Sequence, residues 1–337
     1  MSTSFRAKSV GLSLLCAAYL LLAIAPADGA HLVEQSFQLQ PGWNAVFLEV
    51  QPPDNSTLEV FRNVPIASAW GWRSRGLSAE FVKNLSEDMY RDPQWLCFFP
   101  TNRPERMFNN LFQLTANQPY LIKLEGTNII NWVVSGRPAV KTFAPLPWLP
   151  NEFNLVGFPL RTDMALPGLN TFFAPEPAFL NQPTYVLNSA GRWELVTNGS
   201  LPVEAGKCFW VFAQNSSTYL GPLSVTVEQG DGLDYGETVT ERKVFIKNVA
   251  STPAVVSVRD LNGPGPLTYW TFNTTLAQVE WLPIPDPLTM SLAPNETYTL
   301  RLAVNRNDFV DNQYFTTIQV ESDSGTRVRI PLSAQLP

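Results

Sequence analysis

Carboxylates crowd into one short stretch of the chain, at Glu80, Glu87, Asp88 and Asp92. Glycoside hydrolysis needs only two such groups, one to protonate the leaving oxygen and one to act as base or nucleophile. On a helix Glu80, Glu87 and Asp88 would share a polar face, so a solvated helix surface is the competing reading. A second constellation is aromatic. Trp70 and Trp72 are two apart and Arg73 follows, so in a strand the two indoles share one face and could stack on sugar rings; core packing competes, because large aromatics dominate cores. Trp95, Trp132, Trp193 and Trp210 carry the same two readings.

Other chemistry is excluded by what the chain lacks. Its single histidine, His31, sits near the N-terminus, which removes Ser-His-Asp and Cys-His catalysis and histidine-rich zinc sites. No phosphate loop or dinucleotide fingerprint stands in a strand-turn-helix context, so no cofactor is expected. The oxygen donors in "GDGLDYG" (Gly230 to Gly236) and "NRNDFVDNQ" (Asn305 to Gln313) read as turn chemistry rather than a metal site. The expectation is therefore no catalytic set, no metal and a chain that is not an enzyme, with Trp70, Trp72 and Arg73 as candidate ligand-binding residues.

The N-terminus reads as a secretory signal. Arg6 and Lys8 precede an apolar run from Val10 to Ala25, and small residues follow, with cleavage placed after Ala27, Gly29 or Ala30. No second run has membrane length. The expected location is secreted, cell-surface or periplasmic, without a transmembrane anchor after cleavage. Cys16 leaves with the signal. Cys97 and Cys208 remain in an oxidising compartment as a candidate disulfide or as two buried thiols. The net charge of −6 argues against nucleic acid, which requires a basic footprint. Six N-x-S/T sequons, at Asn55, Asn84, Asn198, Asn215, Asn273 and Asn295, matter only in a eukaryotic secretory pathway.

Charged residues make up 15% of the chain against a usual ~25%, and prolines number 29. That composition suits strands and turns with large side chains inside. An internal echo supplies the plan. Aligning Asn44 of "PGWNAVFLEV" with Asn154 of "NEFNLVGFPL" places Val46, Leu48 and Val50 on Val156, Phe158 and Leu160, alternating along one strand face. "LEVF" (Leu58 to Phe61) then falls on "LNTF" (Leu169 to Phe172). "LTANQPYLIKL" (Leu114 to Leu124) falls on "VEAGKCFWVFA" (Val203 to Ala213), so that Asn117 meets Gly206, two residue types suited to left-handed turns. The reading is all-β: two divergent β-repeat units at 31–142 and 143–228, and an immunoglobulin-like sandwich at 229–337. The first unit carries an insertion at about 74–110, in which Ser78 caps one short helix and Phe81, Leu85 and Met89 form its apolar stripe.

The sandwich rests on alternation in "RKVFIKN", "TYTLRLAVNR" and "RVRIPLSA". From "LDYG" through "VFIKNVASTPAVVSV" to "GTRVRIPLSA" the chain resembles the Hydin-like and major-sperm-protein-like branch of Ig-like domains, which implies an accessory module of an exported bacterial protein. The repeat units resemble uncharacterised secreted bacterial β-proteins, a likeness that implies no activity. The function expected is an exported, non-catalytic binding or structural module of the cell surface or extracellular matrix, with a glycan or a surface protein as ligand. A carboxylate-dependent glycan-active enzyme and a periplasmic assembly partner are the alternatives.

Overall fold

The computed structural model describes residues 31–73, 84–139, 148–188 and 190–337. The signal-like segment, Ser78, Glu80 and Phe81 lie outside them. The protein is all-β, as expected, and contains two four-stranded sheets, a three-stranded sheet and a sandwich of two five-stranded sheets.

The first unit contains β1 (Val33–Leu39), β2 (Gly42–Leu48), β3 (Val50–Gln51), a single helical turn α1 (Thr57–Val60), β4 (Ile66–Trp72), β5 (Trp95–Phe98), β6 (Gln118–Leu124) and β7 (Ile130–Pro138). The second contains β8 (Glu152–Gly157), α2 (Leu169–Phe173), β9 (Thr184–Leu187), β10 (Trp193–Leu195) and β11 (Cys208–Ala213). Their four-stranded sheets have the same order, β2-β6-β4-β5 and β8-β11-β9-β10. The register agrees too. Asn44 pairs with Ile122 and Asn154 with Val211, and these are the partners that the sequence alignment of the two copies requires.

The repeated asparagine has a mechanical role. Asn44 Oδ1 accepts from Gln40 N at 2.7 Å and its Nδ2 donates to Gly42 O at 3.1 Å. Asn154 Oδ1 accepts from Leu149 N at 2.9 Å and its Nδ2 donates to Glu152 O at 3.1 Å. Each amide ties the entering turn to its strand, satisfying backbone groups that the ladder does not reach. The second matched position behaves likewise. Asn117 and Gly206 both adopt positive φ, 57° and 73°, which turns the chain into β6 and β11.

Each sheet is covered on both faces. Val46, Leu48 and Val50 point into the first unit's own core, against α1 and the three-stranded sheet β1-β7-β3. Phe158 and Leu160 point into the second unit's core with α2 and Trp148. The opposite, mixed faces meet each other. Trp43, Phe47, Trp70, Trp95 and Leu121 pack with Leu155, Trp193 and Trp210 in one aromatic core shared by the two units. The backbone reinforces this seam: Phe47 N donates to Gly206 O at 2.8 Å and Leu85 N to Gly191 O at 3.0 Å.

The sandwich begins earlier than its sequence suggests. β12 (Leu223–Val227), assigned by pattern to the second unit, pairs antiparallel with β14 (Glu241–Asn248) at the edge of the sandwich. Between them lies β13 (Leu233–Asp234), and β15 (Ala254–Asp260), β16 (Leu267–Asn273), β17 (Gln278–Pro283), β18 (Leu288–Leu292), β19 (Thr297–Val304), β20 (Gln313–Ser322) and β21 (Arg327–Gln335) follow. They form two five-stranded sheets, β12-β14-β19-β16-β17 and β13-β21-β20-β15-β18. Val244, Ile246, Leu300, Leu302, Ile330 and Leu332 fill the space between them as the alternation predicts.

The insertion departs from expectation within its described part. No α-helix runs through Leu85 and Met89. Asn84 bridges to Arg192, and a 3₁₀ helix occupies Glu87–Arg91, capped by Ser86 Oγ, which accepts from Asp88 N. Leu85 and Met89 still pack on the shared aromatic core. Contact with the second unit, unseen in the local pattern, overrides the helical period.

Candidate functional site

Trp70 and Trp72 do share a face of β4, and that face is interior. Trp70 is fully buried, with its indole Nε1 donating to Ser68 Oγ at 3.0 Å. Trp72 meets Trp210 of the second unit edge-on, ring centroids 5.1 Å apart. Arg73 follows on the surface, its backbone N donating to Gln94 O at 2.8 Å. The two indoles are therefore part of the seam between units and present no platform to a sugar. A sheet buried on both sides has no face left for a ligand.

In the acidic stretch Glu87 and Asp92 are engaged by neighbours, and Glu80 lies outside the described residues. Glu87 accepts from Ser68 Oγ at 3.0 Å and pairs with Lys123 at 3.1 Å and Arg103 at 3.2 Å. Burial alone would raise its proton affinity; the hydrogen bonds from Lys123, Ser68 and Arg103 outweigh that and hold the carboxyl below its usual range. A general acid needs the opposite shift. Asp92 Oδ1 accepts from Gln94 N at 2.9 Å, closing a turn. Glu87 and Asp92 thus serve as an ion-pair anchor and a turn residue. Turns likewise engage the oxygens of Asn305, which accepts from Asn307 N, and of Asp234, which accepts from Gly236 N.

Cys97 and Cys208 lie in the same aromatic core but as free, buried thiols, so the candidate disulfide is not formed. Cys97 Sγ donates to Phe108 O at 3.1 Å. Burial raises both thiols' proton affinity, most strongly at Cys208, which removes the thiolate needed for oxidation. The native protein is expected to react with no thiol reagent. After unfolding without reductant, a chain cleaved before His31 and so lacking Cys16 is expected to expose two thiols, and a count of zero would restore the cross-link.

The exposed chemistry lies where the sequence reading did not look, on the hairpin β16–β17. β17 is the outer strand of its sheet, bonded on one side by β16 and, among the described residues, paired with no strand on the other. Val279, Trp281 and Leu282 are exposed along it, and Phe272 on β16 stands opposite Val279. Trp270 and Trp281 are direct cross-strand partners. Arg301 of β19 completes the surface, its guanidinium carbon 5.0 Å from the Trp270 ring centre and 5.8 Å from that of Trp281. A two-toothed bond to Glu241, 2.6 and 2.7 Å, fixes the guanidinium plane. That bond, aided by Arg301's charge, also holds the Glu241 carboxyl below its usual range. The result is a flat, rigid, nearly neutral face of indole, phenyl and guanidinium beside an unpaired strand edge. "LTYWTFN" carried the signal: Leu267 turns inward, which by alternation sets Trp270 and Phe272 outward.

No known protein family matches the chain, and no curated protein is similar to it. Among solved structures it is similar to the ASH/PapD-like domain 7 of human CEP192, at 12% identity over 34% of this chain and 85% of that one, TM-score 0.23. It is also similar to the Salmonella enterica SafA pilin in complex with the SafB chaperone, at 14% identity over 34% of this chain and 54% of that one, TM-score 0.23. A third is ACE19, the collagen-binding subdomain of an Enterococcus faecalis surface protein, at 6% identity over 34% of this chain and 96% of that one, TM-score 0.17. The chain spans about half the length of the chaperone-complex chain it matches. At such TM-scores these likenesses carry no argument. Among the described residues, no helix is long and apolar enough to cross a membrane.

Proposed function

We propose that the protein is an exported, non-catalytic binding module that takes an extended apolar segment of a partner protein along β17. One observation carries the reading: a six-residue edge strand, Gln278–Pro283, leaves Val279, Trp281 and Leu282 in solvent, and among the described residues no strand pairs along its outer side. Soluble proteins blunt such edges with lysines, bulges or covering loops, because an open apolar edge recruits other strands. Here the edge has no lysine, and its one charged residue, Glu280, is engaged by Asn273 at 3.1 Å. Strand addition would satisfy the backbone, and alternate partner side chains would lie on Trp270, Phe272 and Trp281. The signal-like N-terminus supports an exported location, and strand capture suits an assembly or surface-attachment role. The resemblance to Hydin-like modules is compatible with it. A glycan reading has less support, since Trp70 is fully buried and Trp72 half-buried against the second unit.

The expected result is protection of the Gln278–Leu282 amides from hydrogen exchange on adding a decapeptide of alternating valine and threonine with lysines at its ends. Val279→Pro should abolish the protection without changing the melting temperature of the sandwich, since β17 lies at the sheet's edge. Amides that stay unprotected at saturating peptide would sink the proposal. So would retention on a polysaccharide panel that depends on Trp281, or a dimer of this chain closed over β17.

A further inference from the structure

A cavity of about 150 Å³ lies where the two repeat units and the sandwich meet. Phe47 and Val50 wall it from the first unit, Pro159 and Leu220 from the second, and Val225 from the sandwich. Three charged side chains also line it, Glu49, Arg327 and Arg329. A void of this size with charged walls holds water or a solute rather than standing empty.

Among the lining residues two guanidinium groups face one carboxylate, while Glu321 attracts Arg329 from outside the lining. Arg327 is buried, and it reaches Glu49 through a long contact of 3.5 Å and Thr162 Oγ1 through one of 3.4 Å. Its Nε is buried with no acceptor. Arg329 makes one hydrogen bond among the described residues, Nε to Gln319 Oε1 at 2.9 Å, leaving its terminal nitrogens uncommitted. Glu321 stands across the ladder from Arg327 but accepts from Gln319 Nε2 at 2.9 Å and does not line the cavity. Burial, and then repulsion from Arg327, lower Arg329's hold on its proton by more than attraction to Glu49 and Glu321 restores it, a cost that an incoming anion would reduce. Under-bonded guanidinium groups beside apolar walls favour a carboxylate, which a guanidinium fork matches with two parallel bonds.

We propose that this cavity binds a small monocarboxylic acid with a compact apolar body, its carboxylate held by Arg329 beside the Glu49–Arg327 pair and its body against Val50, Pro159 and Leu220. The site does not depend on β17 or on any strand partner.

The probe is benzoate, with benzamide as its uncharged match and inorganic phosphate as a bare anion, titrated calorimetrically into the full chain. Benzoate is expected to bind one per chain. Benzamide should bind at least about tenfold more weakly, the loss of a charge-assisted hydrogen bond. Arg329→Gln should weaken benzoate by a similar factor while leaving benzamide unchanged. Ser224→Phe, which builds a ring into the cavity from β12, should block both. In the unsubstituted protein, methyl resonances of Val50 and Val225 should shift with benzoate, a readout that needs no variant to fold. Absent heat together with unshifted methyls would overturn the site. Equal affinity for benzamide, or phosphate binding as tightly as benzoate at an adventitious anion site only, would overturn the carboxylate assignment.

Discussion

Trp210→Ala is expected to lower the unfolding free energy by about 3–5 kcal/mol, the usual cost of emptying a large aromatic site in a core, and to weaken both repeat units together. Trp210 is 1% exposed. Its ring lies 5.1 Å from Trp72, 6.4 Å from Trp95 and 6.2 Å from Trp193, all edge-on. Two of those partners belong to the first unit and one to the second. Truncation therefore opens a cavity walled by both sheets, and neither can close it without moving the other. Urea unfolding followed by far-UV circular dichroism gives the free energy. Amide exchange at Leu121 in β6 and Leu155 in β8 gives the coupling. Both amides should lose protection in parallel. A protein in which Leu155 loosens and Leu121 keeps its protection would show two independent domains and would refute the shared core.

The same core explains how far the sequence could be read. The matched positions of the two sheets were legible because their marks are backbone marks. Asn44 and Asn154 must bridge a turn, and Asn117 and Gly206 must accept positive φ; side-chain substitution cannot easily erase such needs. Alternation also separated the two faces of β2 and β8. It could not say that the mixed face is as buried as the apolar one, because that depends on what packs there. Trp70 looked like a ligand platform and is core. The β16–β17 hairpin was passed over, although its Phe272 and Trp281 are in solvent. Periodicity reports which side chains share a face, and only the partner layer decides whether that face is wet. β12 was misassigned for a related reason: its pattern fits any half-buried strand, and the pairing to β14 that places it in the sandwich is not local. The 3₁₀ helix at Glu87–Arg91 follows the same rule, since its neighbours Asn84 and Leu85 bond to the second unit instead of continuing a helix.

Gly157→Ala is expected to destabilise the protein by about 1–3 kcal/mol, the range for forcing an extra carbon into a packed core, and the cost should depend on Phe47. A Cβ on Gly157 would stand 2.3 Å from both Cβ and Cγ of Phe47. These two residues occupy the same position of the repeat, three residues after Asn44 and Asn154. Equivalent positions touching across an interface is the arrangement a near-twofold pairing of the units produces, since residues close to the axis meet their own counterparts. Two phenylalanines could not both fit there, and two glycines would leave a void. One large and one absent side chain at these matched positions avoid the clash. Because the glycine makes room for the ring, the two effects should not add. Phe47→Leu combined with Gly157→Ala should be more stable than the sum of the single changes by more than about 1 kcal/mol, a coupling typical of side chains in direct contact. Denaturation midpoints of the four proteins in the cycle measure it. Additive effects would mean that Phe47 yields freely to a methyl at 157, and that the seam tolerates slippage between the two sheets.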